Sequence, residues 1–216
     1  MRLLLTGFEP FSREAVNPSG EIVRLLAAEP AEGIEFTPMV LPVRGRVSFE
    51  LLLPALDQGG FDAWLGLGLA GGRPQLSIER AGINVLIERD AETSALNERA
   101  LVEDGPAAYF SRLPVRELAR HITGAGVPAV VSNTAGTYIC NEVTYVVQHH
   151  LSTSGVEMPS GFIHLPYLPQ QTAGKPPATP SMALETQALG VRAAVEFIGE
   201  LVAAPAAAVP GQPAGR

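Results

Sequence analysis

Runs of almost uninterrupted apolar residues, each separated from the next by a longer stretch with helical spacing, constrain this sequence more than any other feature. The clearest run is Ala63-Trp64-Leu65-Gly66-Leu67, which contains no charged residue. A strand of this kind is buried on both faces, and such strands occur in parallel sheets that helices cover on both sides. The sequence therefore predicts an α/β fold, a three-layer α/β/α sandwich with a mainly parallel central sheet.

The same patterns place the individual elements along the chain. Strands are predicted at residues 2–6, 35–43, 63–69, 84–88, 129–133 and 160–164. Helices are predicted at residues 19–28, 46–58, 115–123, 140–151 and 181–203. Residues 91–110 lack clear periodicity and predict a long surface loop near the site, since loops of that length are usually functional. In parallel sheets ligands bind beyond the carboxyl ends of the strands, so chemistry is expected just after each strand.

Length and composition limit the domain count and the class of partner. The chain has 216 residues, of which 46% are hydrophobic, and this suits a single domain, expected over residues 1–203. Residues 204–216 are rich in Ala, Pro and Gly and are expected to form a disordered tail. Lys and Arg total 15 against 22 Asp and Glu, a formal charge of −7, so neither a nucleic acid nor an anionic membrane is expected as a partner.

The compartment is predicted from the apolar runs and from cysteine usage. No run approaches the roughly 18 to 20 residues that span a bilayer. The apolar start of the chain ends at Gly7 and is followed by Glu9, which is too short for the core of a signal peptide. A single cysteine has no partner for an internal disulfide, as is typical of a reducing compartment. A cytoplasmic location is expected.

Cys140, the lone cysteine, is the candidate nucleophile. A lone cysteine is usually a small buried hydrophobe, but this one follows a predicted strand and a glycine-containing turn and opens a predicted helix. At a helix start the helix dipole and the free N–H groups favour the thiolate form, and the same N–H groups can hold an oxyanion. The position therefore favours a cysteine hydrolase.

A thiolate nucleophile requires an imidazole as its base, and the chain has four histidines. His149 and His150 lie well into the helix that Cys140 opens, too far along its axis to reach the thiol. His121 has helical neighbours and suits a packing role. His164 ends an apolar strand at the carboxyl edge of the predicted sheet, so it is the preferred base.

The third member should be a carboxylate that orients the imidazole. Glu79 is the candidate, because it follows the turn Gly71-Gly72-Arg73, although a surface ion pair with Arg80 explains it equally well. The Gly71-Gly72 turn also suggests a phosphate site, but the rest of a phosphate-binding pattern is missing. A nucleotide site is therefore not expected.

These residues lie in motifs by which the chain resembles the pyroglutamyl peptidase I family, also called pyrrolidone-carboxylate peptidases. Four segments carry the resemblance, in the family's order. They are TGFEPF with NPS (residues 6–11 and 17–19), GGR with ERAGIN (71–73 and 79–84), SNTAGTYICN (132–141) and GFIHLPY (161–167). The resemblance covers approximately residues 1–200.

The resemblance implies a cytosolic cysteine peptidase that removes an N-terminal pyroglutamyl residue from peptides, on an α/β/α fold that is phosphorylase-like and commonly forms a homotetramer. It implies the catalytic set Cys140, His164 and Glu79, and it implies no metal or cofactor. It further implies a lactam pocket and its surroundings, formed by Phe8, Phe11, Leu69, Gly71, Tyr138, Ile139 and Arg89. A flat, neutral lactam suits aromatic faces and backbone hydrogen bonds, although phenylalanines beside a strand more often pack in a core.

Two departures from the family pattern bear on the pocket. The family usually has Gln in place of Leu69, and it usually has Gly-Gly in place of Ser12-Arg13. Neither departure touches the proposed triad, so changes in affinity or peptide preference are expected before changes in chemistry. Two other functions stay open at this point, a nucleoside-phosphorylase-like enzyme and a pyroglutamyl-peptide binding protein without turnover.

Overall fold

The computed structural model describes residues 1–12, 14–89 and 96–204. The strands, in chain order, are β1 (Arg2–Phe8), β2 (Glu35–Leu41), β3 (Ala63–Leu69), β4 (Leu76–Glu79), β5 (Ala81–Ile83), β6 (Leu86–Arg89), β7 (Leu96–Arg99), β8 (Ala108–Phe110), β9 (Ala129–Ser132) and β10 (Ser160–Leu165). The helices are α1 (Pro18–Ala28), α2 (Gly45–Gly59), α3 (Val115–Gly124), α4 (Ile139–Thr153), α5 (Pro169–Thr172) and α6 (Leu184–Ala203).

A six-stranded central sheet has the order β2-β1-β3-β10-β4-β9. The first four strands of this order are parallel to one another, whereas β4 is antiparallel to β10 and parallel to β9. Two small antiparallel pairs, β5 with β8 and β6 with β7, lie outside this sheet. The prediction of a mainly parallel central sheet is therefore confirmed, with one reversal of direction between β10 and β4.

Helices cover both faces of the sheet and complete the predicted three-layer sandwich. Helices α1 and α3 each contact α6 on one face, and α2 contacts α4 on the other. Successive side chains of a strand point to opposite faces. On β3, Leu65 therefore joins the core beneath α1, α3 and α6, and Trp64 joins the core beneath α2 and α4.

The connection from β1 to α1 is determined by local hydrogen bonds. Asn17 caps α1, since its side-chain oxygen accepts from the Ser19 backbone N–H, and Pro18 starts the helix. The Ser19 hydroxyl accepts from the Phe8 N–H at 3.0 Å. A Cβ added at Gly7 would lie 2.5 Å from the Ser19 carbonyl oxygen, so only glycine permits this approach of helix and strand.

The sequence-based strand predictions were wrong between residues 76 and 110. Strand β4 was missed because it is four residues long and follows directly on a turn. The strand predicted at 84–88 is β6, which begins two residues later, and β5, which ends just before the predicted strand, was missed. Within the described part of segment 91–110, predicted as a loop, the chain forms β7 and β8. Strands β4, β5 and β8 pair with partners distant in sequence, whereas β6 and β7 pair with each other across residues 90–95, and strands this short show no clear periodicity.

The other predicted elements are confirmed with shifts of a few residues at their ends. Helix α6 starts at Leu184, after the predicted start at 181, and the short helix α5 was not predicted. In the described ranges, none of the helices combines the length and the apolar character that a membrane span requires. The predicted tail at 204–216 lies almost wholly outside the described residues.

Candidate active site

His164 and Glu79 lie on the face of the sheet that α4 covers. His164 on β10 pairs with Gly68 of β3 on one side and with Ser77 of β4 on the other. Glu79 is two residues beyond Ser77, and therefore its side chain points to the same face as His164. The direction of β4 brings the carboxylate back along β10 towards the imidazole.

The Glu79 carboxylate and the His164 imidazole are in direct contact. His164 Nδ1 and Glu79 Oε1 are 2.6 Å apart, and the two side chains are 5% and 0% exposed. A carboxylate at Nδ1 favours the tautomer in which that nitrogen carries the proton, which leaves Nε2 free to face a nucleophile. The sequence left open whether Glu79 belongs to a surface ion pair, and its complete burial excludes that alternative.

Arg73 is a second donor to the same carboxylate oxygen. Its Nη1 lies 2.6 Å from Glu79 Oε1, and its side chain is 32% exposed. Glu79 Oε2 is buried and has no hydrogen-bond partner among the described residues. A buried carboxylate is costly without an opposite charge, and the Arg73 guanidinium supplies that charge to Glu79.

Cys140 is the second residue of α4 and is partly buried. A Cβ at Gly68 would lie 2.8 Å from Cys140 Sγ and 2.9 Å from the Phe162 ring, so the absence of a side chain on β3 makes room for the thiol. The Phe162 ring is also edge-on to His164, with centroids 5.0 Å apart. The thiol therefore lies over the part of the sheet that carries His164.

The electrostatics of His164 reflect both of its partners. Burial lowers the pKa of the imidazole, but the charge of Cys140, a hydrogen bond with its side chain, and the contacts with Glu79 outweigh burial and raise the pKa to about 9. Together these partners favour the protonated form of the imidazole, which can act as a general acid. The arrangement can supply both a nucleophile and a general acid.

The expected position at a carboxyl edge is correct for His164, which lies near the end of β10 beside Cys140, but not for Glu79 at the end of β4. Strands β4 and β9 run opposite to β10, and Ser132 at the end of β9 pairs with Glu79. The carboxyl ends of β9 and β10 therefore point in opposite directions. The loop from 133 to 138 leads from the end of β9 to the start of α4, and the three side chains meet on a face of the sheet.

The remaining histidines contact other groups. His149 Nδ1 lies 3.0 Å from the Tyr109 hydroxyl, and His150 Nε2 lies 2.7 Å from Asp57 on α2. The His121 ring packs against Phe197 at 5.3 Å between centroids, as its predicted packing role requires. Of the four histidines, His164 is the one whose backbone pairs with Gly68, the residue that adjoins the Cys140 thiol.

The sequence did not predict a role at the site for two of its residues, Arg73 and Asn141. Arg73 belongs to the GGR segment and Asn141 directly follows Cys140 in the SNTAGTYICN segment. Asn141 is fully buried; its Oδ1 accepts from the Ile83 N–H at 2.8 Å, and its Nδ2 donates to the carbonyls of Ile83 and Val85. It anchors the start of α4 to the β5 region. The available sequence signal was the position of each residue next to a candidate catalytic group.

The residues predicted for the lactam pocket lie at different depths. Phe8 is 3% exposed and packs in the α2/α4 core, with its ring 6.5 Å from that of Phe162. Phe11 and Tyr138 are exposed, at 38% and 71%. Ile139 is partly buried against the same core as Phe8. Phe8 and Ile139 thus adjoin the reactive group from within the core, whereas Phe11 and Tyr138 are open to solvent.

Leu69 is the last residue of β3, and Gly71 belongs to the turn that follows it. Leu69 is partly buried and pairs with Leu165, and Gly71 is exposed. A Cβ at Gly71 would lie 2.2 Å from the Tyr167 ring, so the turn packs directly on that aromatic side chain. Arg89 ends β6, where its backbone pairs with Leu96. The Arg89 side chain is outside the described part of the structure.

The backbone at Ser12 explains why the family usually has a glycine at this position. Ser12 has a φ of 58°, in the left-handed region that glycine occupies without strain. A glycine at this position, as in the family, suits the turn better than serine does. Arg13, the second departing residue, lies outside the described residues.

Two cavities lie away from these residues. One of about 540 Å³ is lined by Met1, residues 31–34 and the end of α6, and one of about 130 Å³ lies between α2, α4 and β6. Neither is lined by Cys140, His164 or Glu79. Across the described ranges, no group of three or more His, Cys, Asp or Glu side chains is arranged to hold a metal ion.

Comparison with known proteins places the chain in a family. The sequence profile of pyroglutamyl peptidases matches residues 1–200. A pyrrolidone-carboxylate peptidase of Ralstonia nicotianae is 43% identical over 196 residues, which cover 90% of this chain and 91% of the relative. Among solved structures, the pyrrolidone carboxyl peptidase of Fervidobacterium islandicum superimposes with a TM-score of 0.86 at 37% identity, covering 93% of this chain and 99% of that chain.

A second solved structure, the pyroglutamyl peptidase I of Bacillus amyloliquefaciens, gives a TM-score of 0.84 at 33% identity and covers 91% of this chain and 94% of that chain. Sequence and fold agree over the same extent of the chain. The chain belongs to the pyroglutamyl peptidase family.

Proposed function

We propose that this chain is a cysteine peptidase that removes an N-terminal pyroglutamyl residue from peptides, with Cys140 as nucleophile, His164 as base and acid, and Glu79 as the orienting carboxylate. One observation carries the assignment of roles. The buried Glu79 carboxylate holds the imidazole at 2.6 Å on a sheet face where a glycine, Gly68, leaves space for the thiol. Family membership supplies the substrate.

In the first step the Cys140 thiolate attacks the carbonyl carbon of the pyroglutamyl residue. His164 holds the proton that left the thiol and passes it to the departing amine as the C–N bond breaks. Glu79 stabilises the imidazolium through Nδ1, and Arg73 balances the carboxylate charge. The product of this step is a thioester of Cys140 with pyroglutamate.

In the second step water attacks the thioester carbonyl, and His164 takes a proton from that water. The C–S bond of the thioester breaks and free pyroglutamate leaves. Cys140 then takes up a proton from His164 and is again a thiol. Backbone N–H groups at the start of α4 would hold the oxyanion in both steps, because the dipole of a helix favours negative charge at that end. Arg89 is a further candidate for this charge, on the basis of the family resemblance.

Specificity would come from the residues around the reactive carbonyl. Pyroglutamate is a neutral lactam without a free amine, so aromatic contacts and backbone hydrogen bonds recognise it. Phe8 and Phe11 on the β1 side, Leu69 at the end of β3, Gly71 in the turn that follows, and the Tyr138-Ile139 pair are the candidates. Recognition at this end of the substrate leaves the downstream sequence of the peptide largely free.

Release of a dye from pyroglutamyl aminocoumarin tests the proposal. We expect hydrolysis by the unmodified chain, and a loss of at least about 10³-fold in kcat for Cys140→Ser, since the hydroxyl is a far weaker nucleophile. The melting temperature should change little. Prolyl and glutamyl aminocoumarins serve as substrate controls and should not be cleaved.

Two outcomes would contradict the proposal. Hydrolysis retained in Cys140→Ser would remove the nucleophile from the mechanism. Tight binding of a pyroglutamyl peptide in calorimetry without hydrolysis over hours would instead identify a binding protein. A phosphorylase would require phosphate and would be indifferent to alkylation of the thiol.

The setting of the enzyme is also part of the proposal. We place the peptidase domain at residues 1–203 and the protein in the cytoplasm, on the basis of its one cysteine and its apolar pattern. A homo-oligomer, a tetramer or a dimer, is proposed from the family resemblance. Sedimentation equilibrium measures that state directly.

A further inference from the structure

Three loops leave the same edge of the sheet beside the candidate site. Strands β1, β3 and β10 are adjacent and parallel, so the segments that follow them, residues 9–17, 70–75 and 166–175, start at one edge. Loops at the carboxyl ends of parallel strands form the ligand crevice of such sheets. The first of these loops carries Phe11, and the third begins two residues after His164.

Glu14 in the first loop is held by two side chains of the third. Lys175 Nζ lies 2.7 Å from Glu14 Oε1, and Gln171 Nε2 donates to Glu14 Oε2 at 2.8 Å. Both carboxylate oxygens are therefore occupied. The Glu14 and Lys175 side chains are only 18% and 26% exposed, so water screens this ion pair less than it screens an exposed pair.

Gln171 joins the two loops at more than one point. Its Nε2 also donates to the Val16 carbonyl at 3.1 Å, and its Oε1 accepts from the Leu168 backbone N–H at 2.9 Å. All of its polar atoms are thus committed, and its position is determined by its own loop. Gln171 is a rigid donor for the first loop.

The third loop is in turn fixed to the turn after β3. The Lys175 ammonium lies 4.4 Å from the centre of the Tyr167 ring, and that ring packs on Gly71. The hydrogen bond from Lys175 is the main cause that lowers the pKa of Glu14. The same hydrogen bond is the main cause that raises the pKa of Lys175. Both groups therefore stay charged near neutral pH.

A backbone hydrogen bond connects Glu14 to Phe11, one of the residues predicted for the lactam pocket. The Glu14 N–H donates to the Phe11 carbonyl at 3.1 Å and closes the turn that presents the Phe11 ring. Phe11 itself is 38% exposed and lacks the core packing that holds Phe8. The placement of the Phe11 ring therefore depends on how firmly Glu14 is held.

We propose that Glu14, Gln171 and Lys175 are positioning residues that hold the Phe11 turn against the crevice and so set the affinity for the pyroglutamyl ring, without acting on the bond that breaks. The proposal rests on the proposed function for its ligand. A clamp of this kind acts on binding in the ground state and the transition state alike, so KM changes and kcat does not.

Amide hydrogen exchange and steady-state kinetics of Glu14→Gln and Lys175→Met test the clamp. We expect the Glu14 amide to exchange at least about tenfold faster in both variants, because its hydrogen bond closes the clamped turn. KM for pyroglutamyl aminocoumarin should rise about three- to tenfold while kcat stays within about twofold. Lys175→Arg keeps the charge and should retain most of the affinity.

Glu21→Gln is the matched control. It removes the same charge from an exposed pair, Glu21 with Arg24, on the helix that follows the clamped loop. Neither exchange at Glu14 nor KM should change in this variant. The rate of Cys140 alkylation by iodoacetamide should be equal in all variants, since the clamp does not touch the thiol.

Two results would overturn the proposal. Unchanged exchange at the Glu14 amide in both variants would mean that the contacts do not hold the turn. A fall in kcat at constant KM would mean that the residues act on the chemistry. If the unmodified chain did not hydrolyse the pyroglutamyl substrate, the proposed function would fail, and the exchange rates would still show whether Glu14 holds the turn.

Discussion

A single carboxylate oxygen organises the candidate active site at the scale of residues. Glu79 Oε1 receives both His164 Nδ1 and Arg73 Nη1 at 2.6 Å, in a position that solvent does not reach. Charge-assisted hydrogen bonds in such surroundings are stronger than those at a surface, because the local dielectric constant is low. The imidazole is therefore held in one orientation before any substrate binds.

The titration of His164 is the most direct test of this arrangement. The charges of Cys140 and Glu79 raise its pKa to about 9, so removal of either charge should lower the value towards the roughly 6.5 of an ordinary histidine. NMR titration of the His164 ring protons in the unmodified chain, Glu79→Gln and Cys140→Ser measures this. A pKa that stayed unchanged in both variants would contradict the coupling.

The pH dependence of hydrolysis follows with a definite sign. Below a pH of about 9 the imidazolium can protonate the leaving amine, and above it that proton is lost, so kcat should fall on the alkaline side. Glu79→Gln should move this fall to lower pH. A profile of residual activity from pH 5 to 10 gives both midpoints, and an alkaline limb at the same pH in Glu79→Gln would be the contrary result.

Ser12 provides a stability prediction. Its φ of 58° strains a residue that carries a Cβ. Ser12→Gly should therefore raise the free energy of unfolding by about 0.5 to 1 kcal/mol, the strain relief being partly offset by the greater freedom of glycine in the unfolded chain. Urea denaturation measures the change. Ser12→Ala keeps the Cβ and should show no gain, so equal gains in both variants would refute the explanation.

At the scale of elements, the direction of β4 and the glycines of β3 shape the site. Because β4 is antiparallel to β10, it brings Glu79 back towards His164. The alternation of side chains along each strand puts both residues on the face that α4 covers. On β3, Gly66 and Gly68 replace side chains that would meet Phe162 and Cys140. The helix and the sheet therefore approach closely enough for a thiol at the helix start to reach a histidine in the sheet.

Gly68→Ala tests this close approach. The new Cβ would lie 2.8 Å from Cys140 Sγ, so the thiol must move, and misplacement of a nucleophile by about 1 Å can cost up to about 100-fold in rate. We expect kcat/KM to fall at least about tenfold. Gly124→Ala, where no atom lies within 4 Å of the added Cβ, is the control. Full activity in Gly68→Ala would show that the thiol does not depend on this space.

At the scale of the whole molecule, α6 is the last element of the described chain, and its end is capped by Ala204. The Ala204 N–H still donates to the Glu200 carbonyl at 3.0 Å and completes the helix end. Helix α6 packs on α1 and α3 and contributes Val191, Val195 and Ile198 to the core. The apolar face of the helix is thus satisfied without any later residue.

A chain ended after Ala204 should therefore keep the fold and the activity. We expect its melting temperature and its kcat/KM for pyroglutamyl aminocoumarin to equal those of the full chain, since the core contacts of α6 are all retained. Differential scanning calorimetry and the dye assay measure the two quantities. A lower melting temperature, with the contacts of α6 intact, would assign a structural role to residues 205–216.

Much of this organisation could be read from the sequence because it is local or periodic. Apolar runs located β1, β3 and β10, helical spacing located α1 and α4, and the helix start at Cys140 singled out the thiol. The selection of His164 over three other histidines needed only distances along a helix, the helical neighbours of His121 and the place of His164 at the end of an apolar run. The cap formed by Asn17 and Pro18 is equally local.

The rest depended on partners that are distant in sequence. Local pattern distinguishes neither a parallel from an antiparallel short strand nor a buried from an exposed carboxylate. The reversal at β4, the burial of Glu79 beneath α4, the second donor Arg73 and the contact of Glu14 with Lys175 each join segments whose proximity is created by the sheet order. Periodicity reports which face of an element is apolar, whereas the identity of the neighbour is a property of packing, and the chemistry of this site arises between neighbours.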